Sequence, residues 1–504
     1  MYSKKWTWLI SAALVIMMLT LTGCQSIQGL ELAKAVQNGA NVKSSESKGT
    51  LQLELVPGDT SKLSAGEKAA LAALQDVKVE LAVKTQDSQR LSAEGKIIYS
   101  KGSIPFNVAM EGTKINLSIE GAKQPIVIDL LGGADISFLS FLPKAIQEQF
   151  GNKLLEIKSG LIELILANTT DPANLAITSV TDKVNNESLS LQKAHVELSG
   201  TELASLLQKL LANVLADEAG LKKVLSQLYD ALAPVIQEQI AAGDKSIALS
   251  LLTNKDLTLG FVYSPIHDYL AGLADSIDPT KDMFSAKASL QADLFIDSDK
   301  QIRKQNIAIN MPLTKSNNGA SAIKISYVSE SWNLNKPVTA SKVDTSGALQ
   351  LKPDATAIFR VLATLDKQST LYKMLKNDLQ VTKKDINMAS DGTGGSESEP
   401  LPFIDTNGKL LAPVRFVSEQ LGAEVGWNGD LKQVTIKDYL TGNTILLTLD
   451  SKLATVNGAA VPELISAATL YHNSTYVPIR FIVEQLGCDV SFNDDTRVAT
   501  IHRD

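Results

Sequence analysis

The sequence predicts an α+β protein in which a large curved antiparallel sheet is covered by helices and is followed by a small duplicated α+β domain. Three observations lead to this prediction. Short segments with alternating apolar and polar residues recur on both sides of a leucine-rich stretch, Gly, Asn or Asp separates many of them, and one pattern near the carboxyl end occurs twice.

The alternating segments are typical of strands joined by hairpins. Their apolar positions are Val77, Val79, Leu81 and Val83; Phe106, Val108 and Met110; Ile115, Leu117 and Ile119; Ile126, Ile128 and Leu130; Leu257, Leu259, Phe261 and Tyr263; Ala286, Ala288, Leu290, Ala292 and Leu294; Ile307, Ile309 and Met311; and Ile323, Ile325 and Tyr327. Successive side chains of a strand point to opposite faces, so one face of the sheet should be apolar and the other wet.

Helices are predicted between the two groups of strands. One stretch covers residues 137–168 and is interrupted by Pro143 and Gly151. The other runs from Thr201, a predicted N-cap, to Ile240 and carries a wide apolar face. The leucines of that face are Leu203, Leu206, Leu207, Leu210 and Leu211. We expect these helices to lie on the apolar face of the sheet.

The repeated pattern reads "PVRFVSEQLGAEVGWN" at 413–428 and "PIRFIVEQLGCDVSFN" at 478–493. Pro413 and Pro478 suit the first position of a helix. Gly422 and Gly487 suit its carboxyl end, and apolar residues alternate after each glycine. The repeat therefore predicts helix, strand, turn and strand, used twice.

The charged residues of the repeat have two readings. Arg415 and Glu419, with their counterparts Arg480 and Glu484, could form a chemical site or two surface ion pairs. The spacing of four residues on a helix favours ion pairs, and no nucleophile with a base stands nearby. Cys488 replaces an alanine where the pattern turns inward, which favours a buried structural thiol.

Residues 401–504 resemble the copper amine oxidase N-terminal-like domain, also called the stalk domain. The segments "KLLAPVRFVSEQLGAEVGW", "ATVNGAAVPELISAATLYHNSTYVPIRFIVEQLG" and "VATIHRD" carry the resemblance. It implies a small antiparallel sheet packed against helices, attached to a secreted protein of Gram-positive bacteria. It does not imply copper, because the metal and the quinone of the oxidase belong to a different, larger domain.

No catalytic or metal-binding pattern stands out elsewhere. The four histidines, His195, His267, His472 and His502, lack ligand spacing, and no known nucleophile or phosphate-binding motif is present. His195 and His267 are expected to be packed or solvated. The acidic clusters at 297–300 and 493–495 fall at predicted turns. We therefore predict no enzyme, no catalytic residue, no cofactor and no metal.

The amino terminus predicts the location of the protein. Lys4 and Lys5 precede an apolar run too short for a comfortable membrane span, and the run leads into "LTGC", which ends at Cys24. This segment resembles a bacterial lipobox, which implies that Cys24 carries a diacylglycerol and becomes the first residue of the mature protein. The alternative is an ordinary signal peptide that ends near a cysteine. The expected location is the extracytoplasmic face of the cell membrane, with the membrane as partner through lipidated Cys24.

Composition and segment boundaries agree with that location. The net charge of −7 disfavours a nucleic-acid partner, and with Cys24 lipidated only Cys488 remains, so no disulfide is expected. The predicted segments are a signal peptide (1–23), a polar tether (24–49), a large α+β domain (50–387), a linker rich in Gly, Ser and acidic residues (388–400) and the stalk-like domain (401–504).

Two functions are compatible with these features. The first is a non-catalytic lipoprotein with a binding or scaffolding role at the cell envelope, whose partner is a cell-wall polymer, an envelope protein or a lipid. The second is a carrier that holds a lipid or other apolar ligand between sheet and helices, since the element order loosely resembles the half-barrel of lipoprotein carriers. A cavity lined by Leu206, Leu210, Val79 or Leu259 would favour the carrier.

Overall fold

The computed structural model confirms the α+β class and divides the chain into two compact units. The first unit contains the residues up to Ile119 and Val127–Ser346, and the second contains Glu120–Ile126 and Gly347–Asp504. The described residues are 31–129, 146, 149, 153, 156–242, 252–280, 282–313, 319–351, 354, 356–390, 401–406, 408–493 and 495–504.

The first unit is built on antiparallel strands. Their bounds are β1 Ser45–Pro57, β2 Asp76–Thr85, β3 Arg90–Tyr99, β4 Gly102–Glu111, β5 Lys114–Ile119, β6 Ile126–Asp129, β7 Ala176–Val184, β8 Glu187–Ser199, β9 Ser289–Ile296, β10 Ile302–Pro312 and β11 Ala320–Trp332. They follow the order β6-β5-β4-β3-β2-β1-β11-β10-β9-β8-β7 and make up eleven of the twelve strands in the largest sheet of the described chain. Most are joined as hairpins, as the alternating pattern predicts.

Helices of the first unit lie before the first strand and between later strands. Their bounds are α1 Leu32–Ala40, α2 Ala65–Ala73, α3 Lys158–Asn168, α4 Gly200–Ala216, α5 Glu218–Ala241 and α6 Lys255–Asp275, with a short 3₁₀ helix at Asp282–Phe284. Most of the predicted stretch 137–168 lies outside the described residues, but its end forms α3. Helix α4 packs its apolar face against strands β8–β11, as expected for a covering helix.

The prediction of a strand at residues 257–263 was wrong, because these residues lie in α6. Asn254 caps the helix by accepting a hydrogen bond from the Leu257 N–H at 3.1 Å. The residues of α6 that pack into the helical core recur at helical spacing: Leu259, Val262, Tyr263, Ile266 and Leu270. The apolar residues of this run fit the period of a strand and also that of a helix. The N-cap and the helical spacing of the residues that follow favour the helix.

The prediction of one helix from Thr201 to Ile240 needs two corrections. The N-cap is Ser199, which forms a capping box with Glu202: the Ser199 side chain accepts from the Glu202 N–H, and the Glu202 carboxylate accepts from the Ser199 N–H. The helix also breaks at Asp217, which ends α4 and caps α5 by accepting from the Gly220 N–H at 2.8 Å.

The segment predicted as a polar tether is folded over most of its described length. Helix α1 buries Leu32, Ala35 and Val36, and β1 begins at Ser45. The buried side chains of α1 contact apolar residues of α3 and of strands β8–β10. The fold therefore begins well before residue 50.

The second unit combines three small sheets with short helices. Its strands are β12 Leu349–Leu351, β13 Lys384–Ala389, β14 Phe403–Ile404, β15 Leu410–Pro413, β16 Glu424–Asn428, β17 Gln433–Lys437, β18 Thr444–Thr448, β19 Ala454–Val456, β20 Ala459–Ala460, β21 Thr469–Tyr471, β22 Ser474–Pro478, β23 Asp489–Asn493 and β24 Val498–Arg503. Its helices are α7 Ala357–Thr364, α8 Thr370–Lys373, a π-helical turn at Met374–Asp378, α9 Val414–Gln420 and α10 Ile479–Gln485. The sheet orders are β13-β24-β23, β14-β15-β22-β21 and β16-β17-β18-β19-β20.

The duplicated helix, strand, turn and strand are present as predicted. Gly422 and Gly487 follow the helices with φ of 85° and 68°, a conformation that glycine adopts without strain. Pro413 and Pro478 are N-caps and not first helical residues, because each also ends a strand.

This unit differs from the predicted division of the chain. It begins near Gly347, and β13 pairs with β24, so Met388 and Ala389 of the predicted linker lie in a strand. Phe359 of α7 is buried against Gly422, where an added Cβ would lie 2.3 Å from its ring. Residues before the repeat thus complete its packing.

A buried ion pair joins distant parts of the second unit. Arg503 Nη2 lies 3.0 Å from both carboxylate oxygens of Asp438, and both side chains are almost fully buried. Arg503 Nη1 donates to the Leu421 carbonyl at the end of α9, and its guanidinium stacks over Phe359 at 5.6 Å. Thr441 donates to Asp438 through its N–H and its hydroxyl at 2.9 and 2.7 Å.

We predict that Asp438→Asn destabilises the second unit by about 3–5 kcal/mol, because the Arg503 charge then stays buried without its counter-ion. The exposed ion-pair residue Arg415 is the matched control, and Arg415→Ala should cost less than about 1 kcal/mol. Denaturant unfolding measures both changes. The modification of the buried Cys488 thiol reports the unfolding of this unit. An equal loss of unfolding free energy in the two variants would contradict a stabilising role for the buried pair of Arg503 and Asp438.

Candidate ligand-binding face

The register of the large sheet aligns apolar residues from eight strands in one row. Directly opposed residues of antiparallel strands share a face, and each neighbour in this row is directly opposed to the next. The row consists of Ile104, Ile97, Val79, Leu51, Tyr327, Ile307, Ala292 and Val196. The apolar face predicted from the alternation is therefore continuous from β4 to β8.

Burial along this row changes in the middle of the sheet. Ile104 at one end is fully buried, and Ile307 and Ala292 are buried near the other end. Leu51 between them is 40% exposed, and Ile97, Val79 and Tyr327 are half-buried. The remaining apolar side chains of this face on β1–β5 are half-buried too: Leu53, Leu55, Val77, Leu81, Val83, Phe106, Val108, Met110, Ile115, Leu117 and Ile119.

The two faces of the sheet differ sharply in charge. On the apolar face of β1–β5, the alternate positions hold no charged side chain. The opposite face carries ion pairs such as Lys48–Glu330 and Lys96–Glu80, each at 3.1 Å. These four residues are among those that line a depression of about 650 Å³. The charged face suits water, and the other face suits only apolar contact.

The described helices cover one half of the apolar face. In the described chain, the clusters that join helices to the sheet contain residues of β7–β11, and none contains a residue of β1–β5. Leu210 and Leu259 pack among the helices and Leu206 packs at the helix–sheet cluster, whereas Val79 lies on the half-exposed face. The residues whose cavity would have favoured the carrier are thus separated, and the partly accessible apolar surface lies beside the described helices.

Glycine shapes this half of the sheet. A Cβ added to Gly95 would lie 2.2 Å from the Glu80 carbonyl oxygen and 3.0 Å from the Phe106 ring. Phe106 is directly opposite Gly95 on β4, so its ring occupies the space that a side chain at position 95 would need. The close approach requires glycine, and the aromatic ring keeps this part of the face apolar.

The predicted site residues occupy different parts of the molecule. Cys24 lies outside the described residues. Arg415 and Glu419 form an exposed ion pair at 2.9 Å, and Arg480 and Glu484 form another at 3.7 Å, as the surface reading predicts. Cys488 is buried as expected, and burial raises the pKa of its thiol to about 11, which makes it a poor nucleophile.

Three of the histidines contact carboxylates, which sequence spacing did not indicate. His195 Nδ1 lies 2.7 Å from Asp293, which also binds Lys193. His267 lies 3.7 Å from Asp268. His502 lies between two aspartates and is described below. Cross-strand neighbours such as His195 and Asp293 are distant in sequence, so only the strand register brings them together.

The acidic turn at 297–300 is held by hydrogen bonds from the protein. The Asp297 carboxylate accepts from the N–H groups of Asp299 and Gln301 and from Arg303 at 2.9–3.1 Å. At the second acidic turn, Asn493 accepts from the Thr496 N–H, while position 494 lies outside the described residues. Across the described chain, no group of three or more His, Cys, Asp or Glu residues is arranged to hold a metal ion.

Comparison with known families now identifies the carboxyl-terminal module. Residues 393–501 match the copper amine oxidase N-terminal domain, and this match confirms the resemblance carried by the repeat. The matched domain is non-catalytic and covers about a fifth of the chain. No curated protein matches the chain.

One further structural finding concerns membranes. Within the described ranges, no helix combines the length and apolarity that a membrane span requires.

The contacts of His502 predict a pH dependence in the second unit. Its Nδ1 lies 2.6 Å from Asp385 on β13 and its Nε2 lies 2.9 Å from Asp504, so both nitrogens face carboxylates, and these hydrogen bonds raise the pKa of His502 above 6.5. Stability from this contact should be complete below pH 6.5 and lost as the pH rises through the raised pKa.

Titration of the His502 ring by NMR, alongside unfolding at several pH values, tests this expectation. Asp385→Asn removes the stronger contact and should lower the pKa of His502, while Asp293→Asn beside His195 in the first unit is the matched control. A His502 pKa that does not move in Asp385→Asn would show that the carboxylate does not hold the proton.

Proposed function

We propose that the protein is a lipid-anchored, non-catalytic binding protein at the extracytoplasmic face of the cell membrane, and that its first unit binds an apolar ligand of the acyl-chain class. The open apolar face of β1–β5 carries this proposal. Most of its side chains are aliphatic or aromatic, none is charged, and most remain partly accessible beside the described helices. The lipobox-like segment ending at Cys24 supports the location.

The dimensions of the face suit an acyl chain. Neighbouring strands lie about 4.8 Å apart, so the row from Leu51 on β1 to Ile104 on β4 is roughly 14 Å long. One leaflet of a bilayer has an acyl layer of roughly 15 Å. Burial of such a chain against half-buried leucine, valine and isoleucine side chains would gain roughly 0.8 kcal/mol per CH₂.

The face also excludes other ligand classes. A phosphate, sugar acid or peptide needs charged or hydrogen-bonding partners, and on this face the alternate positions of β1–β5 offer no charge. The second unit, with its non-catalytic domain, would act as a binding or scaffolding module toward a cell-wall polymer or an envelope protein. The protein would thus need neither a cofactor nor a metal.

Displacement of a fluorescent fatty acid tests the ligand-binding proposal. We expect saturable binding to the mature chain without its acyl group, residues 25–504. Leu51→Asp should weaken binding at least about tenfold, because an ionised carboxylate resists burial against the ligand. The control is Ala82→Asp, which places the same charge on the opposite, polar face of β2.

Circular dichroism and unfolding of both variants establish that the fold is retained. Binding that is absent in the unmodified chain, or equal in the two variants, would reject the apolar ligand and leave the scaffolding role. Mass spectrometry of lipids that co-purify with the chain identifies the natural ligand.

The anchor has a separate test. Cys24→Ala should release the protein from the membrane fraction or leave it as an unprocessed precursor, because the thiol that accepts the diacylglycerol is missing. Cys488→Ala is the control, since it removes the other cysteine of the chain but not the anchor. Membrane retention of processed Cys24→Ala protein would contradict the lipobox assignment.

A further inference from the structure

The charged face of the large sheet holds the depression of about 650 Å³, which we call the polar depression. It lies on β1–β4, β10 and β11. Three lysines and three glutamates line it: Lys48, Lys96, Lys304, Glu80, Glu94 and Glu330. Their charges sum to zero, so net charge draws neither a polyanion nor a polycation to this surface.

The strand register places a base and an acid on either side of a small side chain. Ala82 on β2 is directly opposite Lys48 on β1 and directly opposite Glu94 on β3. Two strand spacings therefore separate Lys48 from Glu94, which is roughly 10 Å. The methyl group of Ala82 leaves room above the sheet between the two charges.

The two charged groups differ in how they are held. The Lys48 ammonium lies 3.1 Å from the Glu330 carboxylate and 5.9 Å from the centre of the Trp332 ring, and these contacts fix its position. An ammonium has three donors, so Lys48 keeps capacity for a further acceptor. Glu94 is exposed, and among the described residues its carboxylate has no hydrogen bond or ion pair.

The chain that follows β11 bounds the polar depression on one side. The Ser341 N–H donates to the Ser92 hydroxyl at 2.9 Å. Ser92 and the directly opposed Ala109 are both buried. In the neighbouring row of the same face, Glu94 and Asn107 are exposed. The covered part of this face thus ends where the polar depression begins.

We propose that the polar depression binds a short zwitterionic peptide, whose ammonium group pairs with Glu94 and whose carboxylate pairs with Lys48. A dipeptide separates its terminal charges by roughly 6 Å. With a charge-assisted hydrogen bond of about 2.8 Å at each end it spans roughly 11 Å, close to the separation of β1 and β3. A single amino acid is too short for this span.

The charges also disfavour other polar ligands. A ligand with charges of only one sign would be repelled by Lys48 or by Glu94, whereas a zwitterion is complementary to both. The site lies on the face opposite Leu51 and the proposed apolar ligand. The inference therefore depends neither on that ligand nor on the anchor.

Titration calorimetry with dialanine tests the inference on the mature chain without its acyl group, residues 25–504. We expect saturable binding at one site. N-acetyl-dialanine lacks the ammonium group and dialanine amide lacks the carboxylate, so each should bind at least about tenfold more weakly.

Two matched variants locate the binding. Glu94→Gln keeps the shape of the side chain and removes its charge, so it should weaken dialanine binding about tenfold. Glu54→Gln is the control, because Glu54 lies on the same face outside the polar depression and pairs with Lys324 at 3.1 Å. Ala82→Leu fills the space between the charges and should abolish binding. Circular dichroism of the variants establishes that the fold is retained.

Three results would overturn this inference: no saturable dialanine binding to the unmodified chain, equal binding of the two blocked peptides, or equal effects of Glu94→Gln and Glu54→Gln. The same chains separate it from the proposed function. Leu51→Asp should lose the fluorescent fatty acid and keep dialanine, and Glu94→Gln should do the reverse. Dialanine binding without fatty-acid binding would reject the apolar ligand and support the zwitterion site.

Discussion

The alternation of side chains along antiparallel strands is the constraint on which the first unit depends. A shift of one residue in the pairing of β1 would turn Leu51 and its neighbours toward the charged face and Lys48 toward the apolar face. Hairpin connections and the long pairing of β1 with β11 fix the register against such a shift. One face therefore collects the ion pairs, and the other collects apolar side chains across eight strands.

The helices in the described part of the chain cover only part of the apolar face. Over β8–β11 they form an ordinary two-layer core, with buried residues such as Leu203, Leu290 and Ile307. Over β1–β5 the same kind of surface stays half-buried in the described structure. Apolar surface that a fold leaves accessible costs free energy, and proteins retain large patches of it mainly where something binds. The half-buried apolar face over β1–β5 is therefore the feature of the fold that supports the proposed ligand.

The sequence predicted correctly those elements whose apolar residues fit either the strand period or the helix period but not both. The strands around Val79, Val108 and Ile325 and the duplicated module were predicted because alternation or repeat spacing admits one reading there. The segment at 257–263 fits both periods, and Asn254, a cap that lies just outside the apolar run, decided for the helix. Similarly, Ser199 and not Thr201 caps α4, because only Ser199 has a glutamate three residues later.

The candidate site itself was harder to predict than the elements around it. The apolar residues of the open face were identified individually, but whether helices cover them depends on tertiary placement. The pairing of Arg503 with Asp438 and the contacts of His195 and His502 depend on residues far apart in sequence. Single-sequence patterns contain no distance information of this kind.

The position of Arg503 has a consequence for the order in which the second unit becomes complete. A chain emerges from the ribosome amino end first, so Asp438, Leu421 and Phe359 are all made well before the guanidinium that binds them. Until Arg503 is made, the Asp438 carboxylate favours water over the interior, and closing the core of the two repeats around it would bury an unpaired charge. Final closure of this unit is therefore a late event in biogenesis, and a chain cut short before β24 would keep an open core that proteases can recognise.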